Sequence, residues 1–223
     1  MSILRNIIKR ITHPFLKKGM EYYYKKPRSY TYNGITTIVH PDVFPPNLTL
    51  STKILLDFIK PINLKNKTFL ELGCGSGIIS LYASHKEAIV TASDINKTAL
   101  EYLKNASKEN NLAVHCIYSN FFENLKGFQF DFIVINPPYY PKSPKNTKQR
   151  AWFCGNKFEY FESLFKQLPQ YLSKKNITYM ILSEDCALEK IENIASKNNI
   201  EMETIFTTRK SGEKNFIFLI TQR

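Results

Sequence analysis

Two rhythms of apolar residues run along the chain. From residue 67 onward, short runs rich in β-branched and aromatic side chains alternate with stretches where apolar residues return every three or four positions. The runs at 68–72, 88–92, 113–118, 130–135 and 178–182 read as strands, the fourth apolar enough to be buried on both faces. Helical spacing begins at 78 and recurs over 96–110, 158–172 and 188–197. Two final runs, 201–208 and 215–221, flank Lys210-Ser211-Gly212 and predict a hairpin. This alternation specifies an α/β fold, with a mostly parallel sheet covered on both faces and an antiparallel hairpin closing one edge.

The first 60 residues follow a different pattern. Ile3, Leu4, Ile7, Ile8 and Ile11 recur at helical spacing opposite Arg5, Lys9 and Arg10, predicting a short basic amphipathic helix that stops before Pro14. Such a helix packs its apolar stripe on a domain, or binds a membrane surface or RNA. A second helical stretch covers 16–24. Asn33-Gly34 between β-prone flanks predicts a hairpin with a type I′ turn over 30–39. A connector stiffened by Pro41, Pro45 and Pro46 leads to a helix over 51–59, with Ser51 as its N-cap and Ile54, Leu55, Phe58 and Ile59 facing the core. The expected division is an appendage over 1–50 and the main domain over 51–223.

The candidate chemistry lies where strands end. The strand at 130–135 runs into Asn136-Pro137-Pro138-Tyr139. The prolines have no N–H for a ladder and fix their own φ, and Pro137 pushes Asn136 out of the α region. A stiff loop therefore forms at a strand's carboxyl end, where open α/β sheets bind ligands. Held rigidly, the Asn136 amide oxygen and the Pro137 carbonyl can each accept one hydrogen of an –NH2 group, aiming the nitrogen lone pair at an electrophile. Tyr139 can stack on a planar amide or base. The simpler reading is a proline-terminated strand with a capping Asn.

Gly73, Gly75 and Gly77 follow the first strand of the main domain and open a helix. A dinucleotide site places its third glycine at position 78, which is Ile78 here. Glu71 precedes the turn, and Asp94 ends the next strand, where a carboxylate can hold both hydroxyls of a ribose. Asn120 can face an adenine edge, with Phe121 or Ile95 against its ring. The set suits an adenosyl ligand without a pyrophosphate. Individually, Glu71 also reads as a surface acid, Asp94 as a helix N-cap and Asn120 as a turn former.

Charge and cysteine usage narrow this further. The 223 residues carry a formal net charge of +12, which favours an anionic partner such as nucleic acid or the ribosome. The excess of lysine over arginine also fits the compositional bias of an AT-rich genome. Residues 140–157 hold Lys142, Lys145, Lys148, Arg150 and Lys157 beside Trp152 and Phe153, a mixture that suits RNA, a protein acceptor beside ribosomal surfaces, or a solvated loop. Cys74, Cys116, Cys154 and Cys186 form no C-x-x-C pair and no ligand-spaced cluster with histidine, so neither zinc nor disulfides are expected. With no membrane-length apolar run and no signal-peptide h-region, the expected location is cytoplasmic.

Several stretches resemble a known family. Glu71-Leu72-Gly73-Cys74-Gly75-Ser76-Gly77, Ser93-Asp94-Ile95-Asn96 and Asn136-Pro137-Pro138-Tyr139 are similar to the motifs of class I S-adenosylmethionine-dependent methyltransferases with an Asn-Pro-Pro-Tyr signature. Val43-Phe44-Pro45-Pro46, Arg150-Ala151-Trp152-Phe153-Cys154-Gly155 and Arg209-Lys210-Ser211-Gly212 extend the likeness to HemK-like release-factor glutamine methyltransferases, chiefly their short eukaryotic and archaeal branch. The resemblance implies a Rossmann-like, seven-stranded sheet with an antiparallel last strand, S-adenosylmethionine across Gly73–Gly77 and Asp94, and the acceptor nitrogen at Asn136. It implies a substrate loop that includes Pro138, Arg150 and Trp152, no metal, and an activating subunit in the eukaryotic branch. The chain departs from the pattern at Asn120, where these enzymes carry Asp, at Cys154 in place of glycine, and in its basic N-terminal helix. The expected activity is N-methylation of a protein glutamine. The alternatives are methylation of a nucleic-acid base at adenine N6 or guanine N2, and a non-catalytic nucleic-acid-binding platform.

Overall fold

The computed structural model describes residues 25–47 and 50–223; the helices expected over 3–11 and 16–24 lie outside them. The chain enters as a hairpin, β1 (Arg28–Tyr32) and β2 (Ile35–Val39), with the expected two-residue turn: Asn33 and Gly34 have φ of 47° and 80°. The hairpin leans on the main domain. Tyr32 packs edge-on to Tyr82 and donates to Asp57, the Asn110 amide clamps the backbone of Thr36, and the buried Thr37 hydroxyl donates to the Ser76 carbonyl at 3.0 Å.

Helix α1 (Ser51–Ile59) leads into β3 (Thr68–Leu72), α2 (Ile78–His85), β4 (Ile89–Asp94), α3 (Lys97–Glu109), β5 (Val114–Tyr118) and β6 (Phe132–Ile135). After β6 come the short α4 (Thr147–Arg150), α5 (Glu159–Gln167), β7 (Ile177–Ser183), α6 (Leu188–Lys197), β8 (Ile200–Lys210) and β9 (Glu213–Gln222). The strands order as β5-β4-β3-β6-β7-β9-β8, and all run parallel except β9, which is antiparallel to both neighbours. Alternate residues serve opposite faces. Phe69, Val134 and Ile181 pack with α1, α2 and α3, whereas Leu70, Ile133 and Met180 pack with α5 and α6.

Several boundaries differ from expectation, each for a local reason. Ser51 is the first helical residue rather than the cap; Leu50 precedes it and no side chain caps the helix. The helix expected over 158–172 ends at Gln167 and tightens into a 3-10 turn over Leu168–Tyr171, because Pro169 cannot supply the next N–H. β6 starts at Phe132, two residues late, and β4 runs on to Asp94. The helix after β4 is capped by Asn96, whose side chain accepts from the Thr98 N–H; this leaves the Asp94 carboxylate for other contacts.

Topology positions the site. The chain leaves β3 toward β4 and β5, then returns to the other side of β3 as β6. In register, Leu72 sits beside Ser93 on one flank and Ile135 on the other. The residues that follow β3, β4 and β6 therefore emerge together at one edge, the switch point where such sheets open a crevice.

Candidate active site

The turn after β3 is tied to β4 by its backbone. The N–H groups of Gly73 and Cys74 both donate to the Ser93 carbonyl at 2.9 Å. Asp94 then closes the turn from the side: its carboxylate accepts from the Gly75 N–H and the Asn96 N–H, each at 2.8 Å. Burial pushes the Asp94 pKa up, and these backbone hydrogen bonds oppose the shift. Gly73 has φ 74°, and a Cβ there would point into open space, so this glycine is required by backbone conformation and leaves room for a ligand. Gly77 works differently. It caps α2 with φ 70°, and a Cβ there would collide with the Leu103 side chain, so it lets α2 and α3 pack closely.

A cavity of about 460 Å³ opens over this edge. Its walls include Glu71, Gly73, Gly75, Asp94 and Ile95 from the first two turns, Asn120 and Phe121 after β5, and Asn136 to Tyr139 after β6. Arg150 and Trp152 close the far side. Of the residues expected to hold the donor or confine the acceptor, Gly77 is the one outside the wall.

Glu71 is buried, and its carboxylate accepts from both the backbone N–H and the hydroxyl of Ser80. Burial raises its pKa to about 8; the Ser80 hydrogen bonds oppose this and the nearby Asp94 adds to it. The Asn120 side chain turns to Glu123 at 2.8 Å. Phe121 takes a left-handed conformation, φ 51°, and packs its ring 5.0 Å from Tyr160.

Asn136 is half-buried, and its Nδ2 donates to the Thr52 hydroxyl at 3.4 Å, leaving Oδ1 as the acceptor. Tyr139 is buried in the core cluster that also holds Cys154, Phe158 and Cys186, with its ring 4.8 Å from the exposed Tyr140; burial raises its pKa. The segment 140–157 is folded rather than loose: Tyr140 bridges to Phe153, and Asn146 caps α4 by accepting from the Gln149 N–H. Trp152 rests on Phe44 with ring centroids 4.7 Å apart. Phe44 itself lies against Gly75, so the connector before α1 spans from the glycine turn to the 140–157 segment.

Phe44, Thr52, Ser93 and Tyr160 also line the cavity and were not among the expected site residues. Thr52 shares helical spacing with the buried Leu55, Leu56 and Ile59, which was the available signal. Phe44 belongs to the proline-stiffened connector, whose composition points to a spacer rather than a wall. Ser93 Oγ is buried without a hydrogen-bond partner among the described residues, so this wall retains unused hydrogen-bonding capacity. Tyr160 comes from α5, far along the chain. The four cysteines are free, and among the described residues no three His, Cys, Asp or Glu cluster to hold a metal.

The family profile Methyltransferase small domain matches residues 34–157, from the hairpin turn through the 140–157 segment. The chain belongs to that family. A Methanocaldococcus jannaschii relative that bears the provisional name protein N5-glutamine methyltransferase is 35% identical over 159 residues, covering 67% of this chain and 77% of that one. The ribosomal RNA small subunit methyltransferase C of Buchnera aphidicola is 32% identical over 147 residues, covering 65% of this chain and 41% of the relative. Among solved structures, the E. cuniculi Mtq2–Trm112 complex, responsible for methylation of the eRF1 translation termination factor, superimposes with a TM-score of 0.62 at 18% identity, over 82% of this chain and 99% of that one. Other solved structures of the fold hold S-adenosylmethionine or its demethylated product.

This methyltransferase small domain protein is thus an S-adenosylmethionine-dependent enzyme of the class I fold. The cavity fits that donor: open space over Gly73, a strand-end carboxylate at Asp94, and unmet polar capacity at Ser93. Bound there, the donor supplies a methyl group on a sulfonium, an electrophile that needs no acid to activate it. No helix among the described residues is long and apolar enough to cross a membrane.

Proposed function

We propose that the chain methylates the side-chain amide nitrogen of a glutamine in a protein of the translation machinery. The observation that carries this reading is the position of Asn136, at a proline-stiffened strand end in the same cavity as Gly73, Gly75 and Asp94. In this reading Asp94 takes the ribose hydroxyls, Glu71 faces the cationic end of the donor, and Ile95, Asn120, Phe121 and Tyr160 surround the adenine. Asn136 Oδ1 and the Pro137 carbonyl each accept one hydrogen of the acceptor –NH2. They hold its lone pair in line with the methyl group and stabilise the positive charge that develops on nitrogen. Tyr139, Pro138, Arg150 and Trp152 confine the acceptor. Kinship over most of its length to the Methanocaldococcus jannaschii relative, provisionally named for protein glutamine methylation, supports the choice of acceptor. The superposition on a complex suggests that a small activating subunit assists, and a cytoplasmic setting fits a translation-factor target.

A second reading, methylation of an exocyclic amine on an RNA base, is favoured by the cations on the 140–157 segment. Labelled S-adenosylmethionine incubated with the enzyme and separated protein and RNA fractions distinguishes the two. Label on a glutamine of a release-type factor is expected. Label confined to RNA establishes the second reading, and the absence of any donor-induced thermal shift establishes a non-catalytic platform.

A further inference from the structure

Thr52 makes one contact that the packing of α1 does not require. It lies on the buried face of the helix, at the spacing of Leu55, Leu56 and Ile59, and is 4% exposed. A valine would fill the same place with no hydroxyl to satisfy. Thr52 is instead part of the cavity wall, and its hydroxyl meets Nδ2 of Asn136 at 3.4 Å, across 84 positions of sequence. That distance is long for such a bond and leaves room for it to tighten when an acceptor engages Oδ1.

The prolines do not supply what this contact supplies. Pro137 and Pro138 stiffen the backbone, and Pro137 restricts that of Asn136. The carboxamide still turns about its last bond, a torsion whose preference is broad and roughly two-fold. Turned one way it offers Oδ1 to the acceptor –NH2. Turned the other way it offers Nδ2, and N–H groups face N–H groups. A hydroxyl can pair with either end of an amide, so Thr52 alone does not choose between them. The choice is made when the acceptor engages Oδ1. Nδ2 then points to α1 at a half-buried position, and needs an acceptor of its own. Thr52 Oγ1 is that acceptor. Without it the productive orientation leaves an N–H unmet, a cost that falls on that orientation alone.

We propose that Thr52 is a positioning residue of the acceptor site: by accepting from Nδ2 it keeps Asn136 Oδ1 turned to the acceptor nitrogen. Its place on α1 suits the task. Leu55, Leu56 and Ile59 seat the helix in the same core cluster as Val134 of β6, so the hydroxyl is fixed relative to the strand that runs into Asn136. Thr52 acts through Asn136, and this role therefore stands on the reading of Asn136 given above. It is the same whether the acceptor is a glutamine amide or the amine of a base.

The test is single-turnover transfer from labelled S-adenosylmethionine to whichever of the protein and RNA fractions the native chain labels, with the donor-induced thermal shift measured for each variant. Thr52→Val keeps the shape of the side chain and removes the hydroxyl. It is expected to slow transfer about tenfold, the size of an N–H left without an acceptor, with the thermal shift unchanged. Thr52→Ser returns the hydroxyl and should recover most of the lost rate. In an Asn136→Ala background there is no amide to hold, so adding Thr52→Val should slow transfer no further. Native-rate transfer by Thr52→Val beside slow transfer by Asn136→Ala would overturn the proposal and spare the reading of Asn136. Loss of the thermal shift in Thr52→Val, or a Thr52→Ser as slow as Thr52→Val, would make Thr52 a structural residue and overturn it too. So would additive losses in the double variant. Native-rate transfer by Asn136→Ala, or no label on either fraction, would end the reading of Asn136 and this proposal with it.

Discussion

The two sides of the cavity are built by different means. On the proposed donor side the turn is held by its backbone N–H groups: Gly73 and Cys74 donate to the Ser93 carbonyl of the neighbouring parallel strand, and Gly75 and Asn96 donate to the Asp94 carboxylate. On the proposed acceptor side, past the prolines, the 140–157 segment keeps its own backbone bonds, and side chains tie this side to the connector and α1: Trp152 on Phe44, Lys148 on Asp42 and Asn136 on Thr52. A backbone-made site tolerates little change, because it is part of the sheet. A side-chain-made site can be re-cut for another acceptor without disturbing the core. The contrast explains how one fold serves relatives named for glutamine and for ribosomal RNA.

The contrast can be broken most severely at Gly77. Gly77→Ala drives a Cβ into the Leu103 side chain at a left-handed φ, and should cost about 2 kcal/mol or more in chemical denaturation. Leu103→Ala alone should cost about 2–5 kcal/mol, and the double variant less than the sum, since the shortened side chain makes room for the new methyl. Strict additivity would place the cost of Gly77→Ala in its backbone alone.

Asp94→Ala comes next. Loss of a charged hydrogen-bonding group should weaken donor binding by about 10–100-fold in calorimetry, while acceptor affinity stays unchanged. Equal weakening of both ligands would show that the two sides are not separable.

Glu71 sharpens the comparison through protons. Its pKa, raised from 4.5 to about 8, means the folded state holds a proton that the unfolded chain releases. The associated stability is present below the unfolded value and is lost as pH rises toward the folded one. A cationic donor favours the carboxylate, so donor binding near pH 7 should release about one proton, read from calorimetry in buffers of different ionisation enthalpy. Glu71→Gln should release none. Equal release by both proteins would remove Glu71 from the donor's surroundings.

The smallest effect is expected away from the cavity, at Asp57. Tyr32, Lys53 and Lys210 all reach this carboxylate, joining the hairpin, α1 and the β8–β9 turn. Partial burial works to raise its pKa, but the three hydrogen bonds outweigh it and the pKa is lowered. Its contribution is therefore present above the unfolded value and lost as pH falls through the folded one. Because the group is substantially exposed, Asp57→Asn should cost under about 1 kcal/mol at neutral pH and less in acid. A cost that grows in acid would contradict the assignment.

The same division explains what could be read from the sequence. The alternation of strands and helices, the glycine turn, Asp94 and the Asn-Pro-Pro-Tyr strand end follow local rules of periodicity, φ and strand termini, so each is visible in nearby residues. Phe44, Thr52 and Tyr160 reach the cavity from α1, its connector and α5, and no local rule marks a residue that becomes a wall only when distant elements pack. Gly77 illustrates the converse error. Its spacing marked it as ligand-facing, yet its need for glycine comes from its left-handed φ and from Leu103 on another helix. Ser51 looked like a cap because cap preference is a weak local signal beside the packing that sets where α1 begins.

The central claim is that the donor is held by the turn after β3 while an amide at the end of the neighbouring strand, β6, orients the acceptor in the same hollow. The most direct measurement is single-turnover methyl transfer by Asn136→Ala, with donor affinity determined in the same preparation. The account predicts donor binding within about twofold of the native protein and transfer slowed by at least about 100-fold, the size expected on losing one positioned partner of the reacting group. Transfer at the native rate, or loss of donor binding in parallel with transfer, would contradict it.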